Sequence, residues 1–316
     1  MSNPHILACG DFPDWDIEYM NAHFAVQSLT ASESVIKIPN PEDIIAIAWK
    51  GHGAFGAKYM DALPNLKIIA NFGVGYDAID VAAAKARGIR VTNTPDVLTG
   101  EVADLAVGML LAKAREMLIG DKWVRDGSWL EKGPMPFTRR VFGKKAGVVG
   151  LGRIGLAIAK RLAAFDMPIS YTSRAPKDVP SDWTHYTDIA AMAAEVDYLI
   201  VALAGGPDTA KIVDKASIEA LGPEGMLVNI SRGSTIDETA MLDALENGKL
   251  GSAALDVFEN EPNIDPRFTK LKNVLLQPHQ ASATEETRRA MGELMANNLL
   301  AFYASEPLLT EVPETK

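Results

Sequence analysis

Residues 144–161 read KKAGVVGLGRIGLAIAKR, a short apolar run that leads into three glycines and then into a helical pattern. In this spacing, Gly150 allows a tight turn, Gly152 allows the backbone to approach a pyrophosphate, and Gly155 allows the helix to pack close to the strand. Phosphate groups bind at the N-terminus of such a helix. The stretch therefore predicts a Rossmann site for a dinucleotide.

The end of the next predicted strand indicates which dinucleotide is bound. Residues 168–172 (PISYT) are followed by Ser173 and Arg174, with Lys177 nearby. A site that prefers NAD has Asp or Glu here, because a carboxylate binds the ribose hydroxyls. A hydroxyl and a guanidinium suit a 2′-phosphate instead. We therefore expect NADPH (NADP+) as the preferred cofactor, with NADH as the alternative.

The chain has 316 residues, of which 47% are hydrophobic and 23% charged, and its net charge is −10. This length favours two domains, and the composition is ordinary for a globular protein. The negative charge argues against a nucleic acid partner, because phosphate binding needs a basic surface. No apolar run approaches a membrane span, no signal sequence is evident, and the single cysteine, Cys9, suits a reducing compartment. We expect a cytoplasmic protein with no membrane partner.

Short apolar runs alternate with helical patterns along the chain, which is typical of βαβ units and parallel sheets. The expected fold class is α/β, with two doubly wound parallel-sheet units. The predicted strands form two series, 5–9, 44–49, 67–71 and 90–93, then 146–149, 169–172, 198–203, 226–230, 252–257 and 273–276.

A helical pattern at 100–116 and a stretch at 121–142 separate the two series. The second stretch contains Trp123, Trp129 and Phe137, and we expect it to be irregular. Long loops in compact proteins are usually functional. This one can be an arm that packs on a second subunit or a rim of the active site, and a core role for either tryptophan is as well supported. A last helix is predicted at 285–304.

A second glycine triplet, GHGAFG at 51–56, also follows a predicted strand. Its helix is barely two turns long, and the next strand ends without a ribose-binding acid or a basic substitute. We interpret it as a turn at the edge of the first sheet, where open α/β sheets bind ligands, rather than as a nucleotide site. Exposed amides in this loop, which includes His52 and Gly53, and in the glycine loop at 72–77 could hold a carboxylate.

Three further residues suit the reduction of a carbonyl beside a carboxylate. That reaction needs a cation, an acid and a group that holds the acid. Arg232 follows the strand at 226–230, His279 follows the strand at 273–276, and Glu261 lies in DVFENEP. Each has a plain alternative, because most arginines are surface residues, an isolated histidine after Pro is usually structural, and an acidic run is usually a solvated turn. A carboxylate beside a histidine favours the imidazolium and keeps the acid protonated.

Taken together, the segments ISRG (230–233), LDVFENEP (255–262) and LLQPH (275–279), all downstream of GLGRIG, closely resemble the D-isomer-specific 2-hydroxyacid dehydrogenase family. NFGVGYD (71–77) and PHQASAT (278–284) extend the resemblance to nearly the whole chain. TSR (172–174), KRLAAF (160–165) and SRGSTIDETAMLDAL (231–245) look like its NADPH-dependent glyoxylate/hydroxypyruvate reductase branch.

The resemblance implies a role for each candidate. Arg232 would bind the substrate carboxylate and polarise the keto oxygen, His279 would donate a proton, and Glu261 would pair with His279. The backbone at Val74 and Gly75 would bind the carboxylate. No metal is expected. The cofactor contacts implied beside the three glycines are Leu151, Arg153, Ile154, Ser173, Arg174, Ile230, Asp256 and Ala281.

The resemblance also implies an architecture. Residues 1–97 and 285–316 would form a discontinuous, flavodoxin-like substrate domain, and residues 98–284 the Rossmann NAD(P)-binding domain, with a cleft between them. The helix and arm at 100–142 would build a homodimer. His52 and Gln280 depart from the family pattern, which leaves the side chain of the ketoacid open.

Three functions follow from these expectations. The first is reduction of glyoxylate or hydroxypyruvate with NADPH to a D-2-hydroxyacid. The second is the same chemistry on a bulkier ketoacid. The third is a non-enzymatic NAD(P)-sensing binding protein, against which the intact set of Arg232, Glu261 and His279 weighs. A glutamine in place of Glu261 would have indicated a formate dehydrogenase instead.

Overall fold

The computed structural model describes residues 3–30, 32–51 and 53–316, which form two compact units. The first unit comprises Met1–Leu98 and Ser282–Lys316, and the second comprises Thr99–Ala281. The chain therefore leaves the first unit and returns to it, close to the divisions expected at 97 and 285. The ligand assigned to each unit stays a prediction.

Each unit contains one parallel sheet. The strands of the first sheet are β1 (His5–Gly10), β2 (Ala25–Leu29), β3 (Ala46–Lys50), β4 (Ile68–Asn71) and β5 (Arg90–Thr92). Those of the second sheet are β6 (Ala146–Val149), β7 (Ile169–Thr172), β8 (Thr184–Tyr186), β9 (Tyr198–Val201), β10 (Met226–Asn229), β11 (Ser252–Leu255) and β12 (Val274–Leu276).

Helices alternate with these strands along the chain. They are α1 (Asp14–His23), α2 (Ala57–Asp61), α3 (Val81–Ala86), α4 (Thr99–Ala114), α5 (Met117–Arg125), α6 (Ser128–Lys132), α7 (Arg153–Ala163), α8 (Ile189–Ala193), α9 (Lys215–Leu221), α10 (Glu238–Glu246) and α11 (Glu285–Tyr303). Among the described residues, no helix is both long and apolar enough to cross a membrane.

The order of strands identifies both sheets as doubly wound. The first runs β2-β1-β3-β4-β5, the flavodoxin-like order. The second runs β12-β11-β10-β9-β6-β7-β8, which is the Rossmann order 3-2-1-4-5-6 with one more strand at the β11 edge. The expected fold class is therefore confirmed.

Burial explains why the central strands could be predicted. Every residue of β4, β6, β9, β10 and β11 is buried. Strands in parallel sheets are covered on both faces and read as continuous apolar runs. The strands β2 and β8 were not predicted, because they lie at the sheet edges and their sequences, AVQSL and THY, are half-exposed and mixed in polarity.

The stretch at 121–142 is less irregular than expected. Helix α5 continues to Arg125, and α6 follows after Gly127, which takes the left-handed conformation with φ of 78°. Helix α5 has no buried residue. The indole N–H of Trp123 donates to the carbonyl of Gly133, so this side chain packs within the segment, whereas Trp129 is 61% exposed.

Candidate active site

The glycines at the start of α7 have distinct steric roles. Gly150 has φ of 93°, and a Cβ there would lie 2.6 Å from the Leu203 side chain. A Cβ at Gly155 would collide with the carbonyl oxygen of Gly150. Gly152, by contrast, caps α7, and a Cβ there would meet no non-neighbouring heavy atom of the described chain within 4 Å. The turn is tight on the protein side and open on the other, which fits a pyrophosphate at the helix N-terminus.

Five further candidate cofactor residues lie within the glycine turn or directly after the next strand, β7. Leu151 is buried, whereas Arg153 begins α7 with its side chain exposed, and Ile154 is half-buried. Ser173 and Arg174 directly follow β7, and the Ser173 hydroxyl donates to the carbonyl of Ala175 at 2.6 Å.

The candidate residues of the second unit share one sheet edge. Gly150 follows β6, Ser173 follows β7, Ile230 follows β10, Asp256 follows β11, and His279 lies shortly after β12. Because all these strands are parallel, their carboxyl ends lie at the same edge, which is where open α/β sheets bind ligands.

His279 and Glu261 form a close pair. Nδ1 of His279 lies 2.7 Å from Oε2 of Glu261, and the other carboxylate oxygen of Glu261 accepts the N–H of Phe258 at 2.8 Å. A carboxylate offers only acceptors, so Nδ1 carries the hydrogen and Nε2 is the atom directed elsewhere. The His279 side chain is 44% exposed, so the ring is not enclosed by the described chain.

The charge state of Glu261 is set by its neighbours. Partial burial by itself raises the pKa of this carboxyl. The hydrogen bonds from His279 and Phe258, together with the charges of His279 and Arg232, outweigh that effect and hold the pKa below its ordinary value. Glu261 is therefore ionised at neutral pH and stabilises positive charge on the imidazole.

Arg232 lies in a turn whose backbone is fixed from three sides. Its carbonyl accepts hydrogen bonds from the Asn229 amide at 3.0 Å and from the Thr235 hydroxyl at 2.6 Å. The next residue, Gly233, packs so tightly against the backbone of Phe258 that a Cβ would collide with it. The arginine turn and the segment that carries Glu261 are thus in direct contact.

Two buried acids organise these segments. Asp256 has no exposed surface and accepts the N–H groups of Gln280 at 2.7 Å and Ala281 at 2.9 Å. Burial raises the pKa of Asp256, although both amide bonds oppose the shift. Glu238, at the start of α10, accepts the N–H of Glu259 at 2.8 Å, and burial raises its pKa too.

The anchoring roles of these two acids were missed by sequence reasoning. Asp256 was expected only to contact the cofactor, and Glu238 was not singled out. The one available signal, which applies to Asp256 alone, was an acid directly after an apolar strand, because such a side chain must find donors at the sheet edge.

The first unit supplies the candidate carboxylate loop. The amide of Asn71 donates to the carbonyls of Gly73 and Gly75, and Asn93 donates to the carbonyl of Val74. In the described part of the chain, the N–H groups of Val74 and Gly75 have no hydrogen-bond partner. With its carbonyls occupied, the loop offers donors only, which suits an anion.

The other predicted substrate loop is less informative. Gly53 is exposed in a bend after β3, and His52 lies outside the described residues. A Cβ at Gly51 would collide with the indole ring of Trp49, so the space beside this glycine is filled by the protein itself.

A Rossmann-type unit with a carboxylate-paired histidine and an arginine at its ligand-binding edge is suited to dinucleotide-dependent oxidoreduction of a carboxylate-bearing carbonyl. The family described as D-isomer specific 2-hydroxyacid dehydrogenase, NAD binding domain, matches residues 107–281. The chain belongs to this family and is an oxidoreductase with an NAD-binding domain.

Known relatives cover almost the whole chain. A 2-hydroxyacid dehydrogenase from Ketogulonicigenium vulgare Y25 is 53% identical, with a TM-score of 0.91 and 99% of each chain covered. The NADPH-dependent glyoxylate/hydroxypyruvate reductase of Sinorhizobium meliloti, solved with NADP and malonate, is 43% identical, with a TM-score of 0.94 over 99% of this chain and 98% of that one. Hydroxyphenylpyruvate reductase from Plectranthus scutellarioides is 45% identical over 86% of each chain.

Proposed function

We propose that the protein reduces the small 2-ketoacids glyoxylate and hydroxypyruvate with NADPH to 2-hydroxyacids, with the D configuration where the product is chiral. The observation that carries this proposal is the pairing of His279 Nδ1 with the ionised Glu261 at 2.7 Å, at the same sheet edge as the glycine turn. The 43% identity to the NADPH-dependent glyoxylate/hydroxypyruvate reductase of Sinorhizobium meliloti supports the choice of substrate.

Binding of the ketoacid rests on Arg232 and the 72–77 loop. The planar guanidinium of Arg232 can bind a carboxylate bidentately, and its positive charge polarises the neighbouring keto oxygen. The N–H groups of Val74 and Gly75, which have no hydrogen-bond partner among the described residues, supply further donors to the carboxylate. Gly53, and His52 beyond the described residues, stay the proposed contacts for the substituent on C3. The first unit is thus proposed as the substrate domain.

Reduction moves a hydride and a proton to the carbonyl. NADPH supplies the hydride when bound. His279 supplies the proton from Nε2 to the keto oxygen, while Glu261 at Nδ1 fixes the tautomer and stabilises the imidazolium before transfer. Arg232 stabilises the negative charge that develops on the oxygen. In the reverse direction, His279 accepts the proton of the hydroxyl.

The preference for NADPH rests on the residues after β7. The Ser173 hydroxyl, which donates to the Ala175 carbonyl in this structure, would turn to the phosphate, and the exposed Arg174 offers a guanidinium that suits a phosphate geometrically. In the described chain β7 ends without the acid that binds both ribose hydroxyls in NAD sites. NADH stays the alternative. Ile230 and Ala281, each at the same edge, complete the proposed cofactor contacts.

The test is to follow nicotinamide absorbance with NADPH and NADH against glyoxylate, hydroxypyruvate, pyruvate and phenylpyruvate. We expect the highest kcat/KM with NADPH and one of the first two acids. Equal or faster turnover with NADH would overturn the cofactor proposal. Inactivity towards all four acids would instead support a non-enzymatic NAD(P) sensor.

A bulkier ketoacid is the second candidate substrate. The 45% identity to hydroxyphenylpyruvate reductase favours it, because that relative acts on an aromatic ketoacid. The exposed Gln280, next to His279, lies where a larger substituent could be contacted. A kcat/KM for phenylpyruvate above that for glyoxylate would select this candidate.

We also infer a homodimer built on the 100–142 segment. Monomers rarely expose large contiguous apolar surfaces. Leu130 is 93% exposed and Phe137 fully exposed, and the neighbouring exposed apolar residues are Met117, Leu118, Ile119, Val124, Trp129 and Phe142. Light scattering should give twice the chain mass, and the double variant Leu130→Asp, Phe137→Asp should shift it towards the monomer.

Acidic composition and a single cysteine support a cytoplasmic location.

A further inference from the structure

The loop that follows β7 is supported from the neighbouring edge strand. Strands β7 and β8 are parallel, with Tyr171 opposite His185 in register. The two rings are in contact, with centroids 5.2 Å apart and planes tilted by 45°. Tyr171 is buried, and His185 is half-buried. The edge strand β8 thus contributes the polar aromatic side chain of His185, which packs against β7 just before residues 173–177.

The side chains of His185 and Tyr171 each form a hydrogen bond with one end of the 173–177 loop. Nε2 of His185 lies 3.1 Å from the carbonyl oxygen of Ser173, and the N–H of Lys177 donates to the Tyr171 hydroxyl at 3.1 Å. A carbonyl oxygen can only accept, so His185 carries its hydrogen on Nε2 and donates. Ser173 adds a third bond to the carbonyl of Ala175, across the turn.

We propose that His185 and Tyr171 are positioning residues for the 2′-phosphate of the cofactor. They hold the turn that presents Ser173, Arg174 and Lys177 to that group, although neither ring is required to touch it. The proposal rests on the NADPH preference proposed above. His185 was not singled out from the sequence, because β8 is short and mixed in polarity.

The physical reason is preorganisation. Arg174 and Lys177 are exposed side chains on a turn outside the sheet. An unrestrained turn would lose backbone freedom on binding, and that loss would be subtracted from the affinity. Two hydrogen bonds that fix the turn beforehand remove part of this cost. Only a ligand with a 2′-phosphate benefits, because the adenosine ribose of NAD lacks the group that these cations would bind.

The test measures binding of NADP+ and NAD+ by isothermal titration calorimetry, with the full-length protein and no turnover. We expect His185→Leu to raise the Kd of NADP+ about five- to tenfold, the scale of one lost hydrogen bond plus freedom regained by the turn. The Kd of NAD+ should change less than twofold. His185→Gln retains a donor and should recover most of the NADP+ affinity.

Tyr171→Phe is a matched variant that keeps the ring and removes only the acceptor for Lys177. It should weaken NADP+ about threefold, and hydrogen exchange at the Lys177 amide should accelerate in the protein without cofactor. This variant keeps the proposal testable should His185→Leu fail to fold, which thermal unfolding would reveal.

The outcomes separate two hypotheses. Equal affinity of the unaltered protein for NADP+ and NAD+ would overturn the proposed cofactor preference. A clear NADP+ preference that survives in His185→Leu and Tyr171→Phe would overturn the positioning role alone. Equal loss of both cofactors would also overturn it, because a general structural defect does not distinguish the 2′-phosphate.

Discussion

The two glycine triplets of the chain share the pattern G-x-G-x-x-G, yet they differ in the helix that follows and in the packing of the third glycine. Gly150, Gly152 and Gly155 lead from β6 into α7, an eleven-residue helix, whereas the triplet at 51–56 leads from β3 into α2, which has five residues. A Cβ at Gly155 would strike backbone, while a Cβ at Gly56 would meet open space.

The two triplets share an open helix start. Gly152 caps α7 and Gly56 caps α2, and a Cβ at either position would meet no non-neighbouring heavy atom of the described chain within 4 Å. The first glycine of each is tight, against the Leu203 side chain at Gly150 and the Trp49 ring at Gly51. The contrast therefore lies in the third glycine, which packs against backbone only in the triplet before α7, and in the length of the helix that follows.

The largest expected effect tests whether the proton donor is His279, which lies at the same sheet edge as the glycine turn at 150–155. His279→Ala should lower kcat for ketoacid reduction about 100- to 10,000-fold, because the general acid is lost. Steady-state kinetics with saturating cofactor measures this. His23→Ala, on α1, is the matched control and should keep its kcat. Near-normal turnover in His279→Ala would exclude His279 as the proton donor.

Arg232 offers a second test at the same edge. Arg232→Lys keeps the charge but loses the planar fork, and a charge-assisted hydrogen bond contributes about 1.5–3 kcal/mol. The kcat/KM should fall about 10- to 100-fold. Thermal unfolding should be unchanged, since a change there would point to a fold defect. Unaltered kcat/KM would remove Arg232 from the substrate site.

Stability measurements compare the two loops directly. Gly155→Ala forces a methyl group against the Gly150 carbonyl and should lower the free energy of unfolding by about 1–3 kcal/mol. Gly56→Ala, with open space around it, should change it by less than about 0.5 kcal/mol. Urea titration of both variants provides the values. Equal losses in the free energy of unfolding would mean that the steric contrast between the two loops does not affect stability.

The smallest expected effect concerns pH. The pKa of Glu261 lies below its ordinary value, so the carboxylate stays charged throughout the neutral range. Glu261→Gln removes that charge and leaves the imidazolium without its stabilising partner during proton transfer, so kcat for reduction should fall across the neutral range. Profiles of kcat for the unaltered protein and the variant between about pH 5 and 8 would measure the loss. Superimposable profiles would show that the carboxylate does not assist His279.

The strands that could be predicted from the sequence are those whose burial produces a continuous apolar run. Strands β6 and β7 were predicted to the residue, because their buried runs end at Gly150 and Ser173. The edge strands β2 and β8 were missed, since half-exposed strands have no apolar pattern. Helix α5 was missed and its stretch read as irregular, because none of its residues is buried among the described residues and burial is what leaves a local pattern.

The candidate site was predictable only in part for a different reason. Arg232, Glu261 and His279 each had a plausible structural role alone, and only the family resemblance placed them together. The pair at 2.7 Å joins residues on segments that follow two different strands, β11 and β12. Asp256 could be placed at a strand end, but its partners are backbone amides, which no side-chain pattern reveals.

That anchoring has a consequence for how the enzyme can diversify. Asp256 fixes the segment that carries His279, the proposed proton donor, through the amides of residues 280 and 281, groups that every amino acid except proline supplies. The side chain at 280 is exposed and carries none of that restraint. Substitutions there leave the backbone anchor of the histidine intact, so under the proposed function selection can act on specificity and on proton transfer separately.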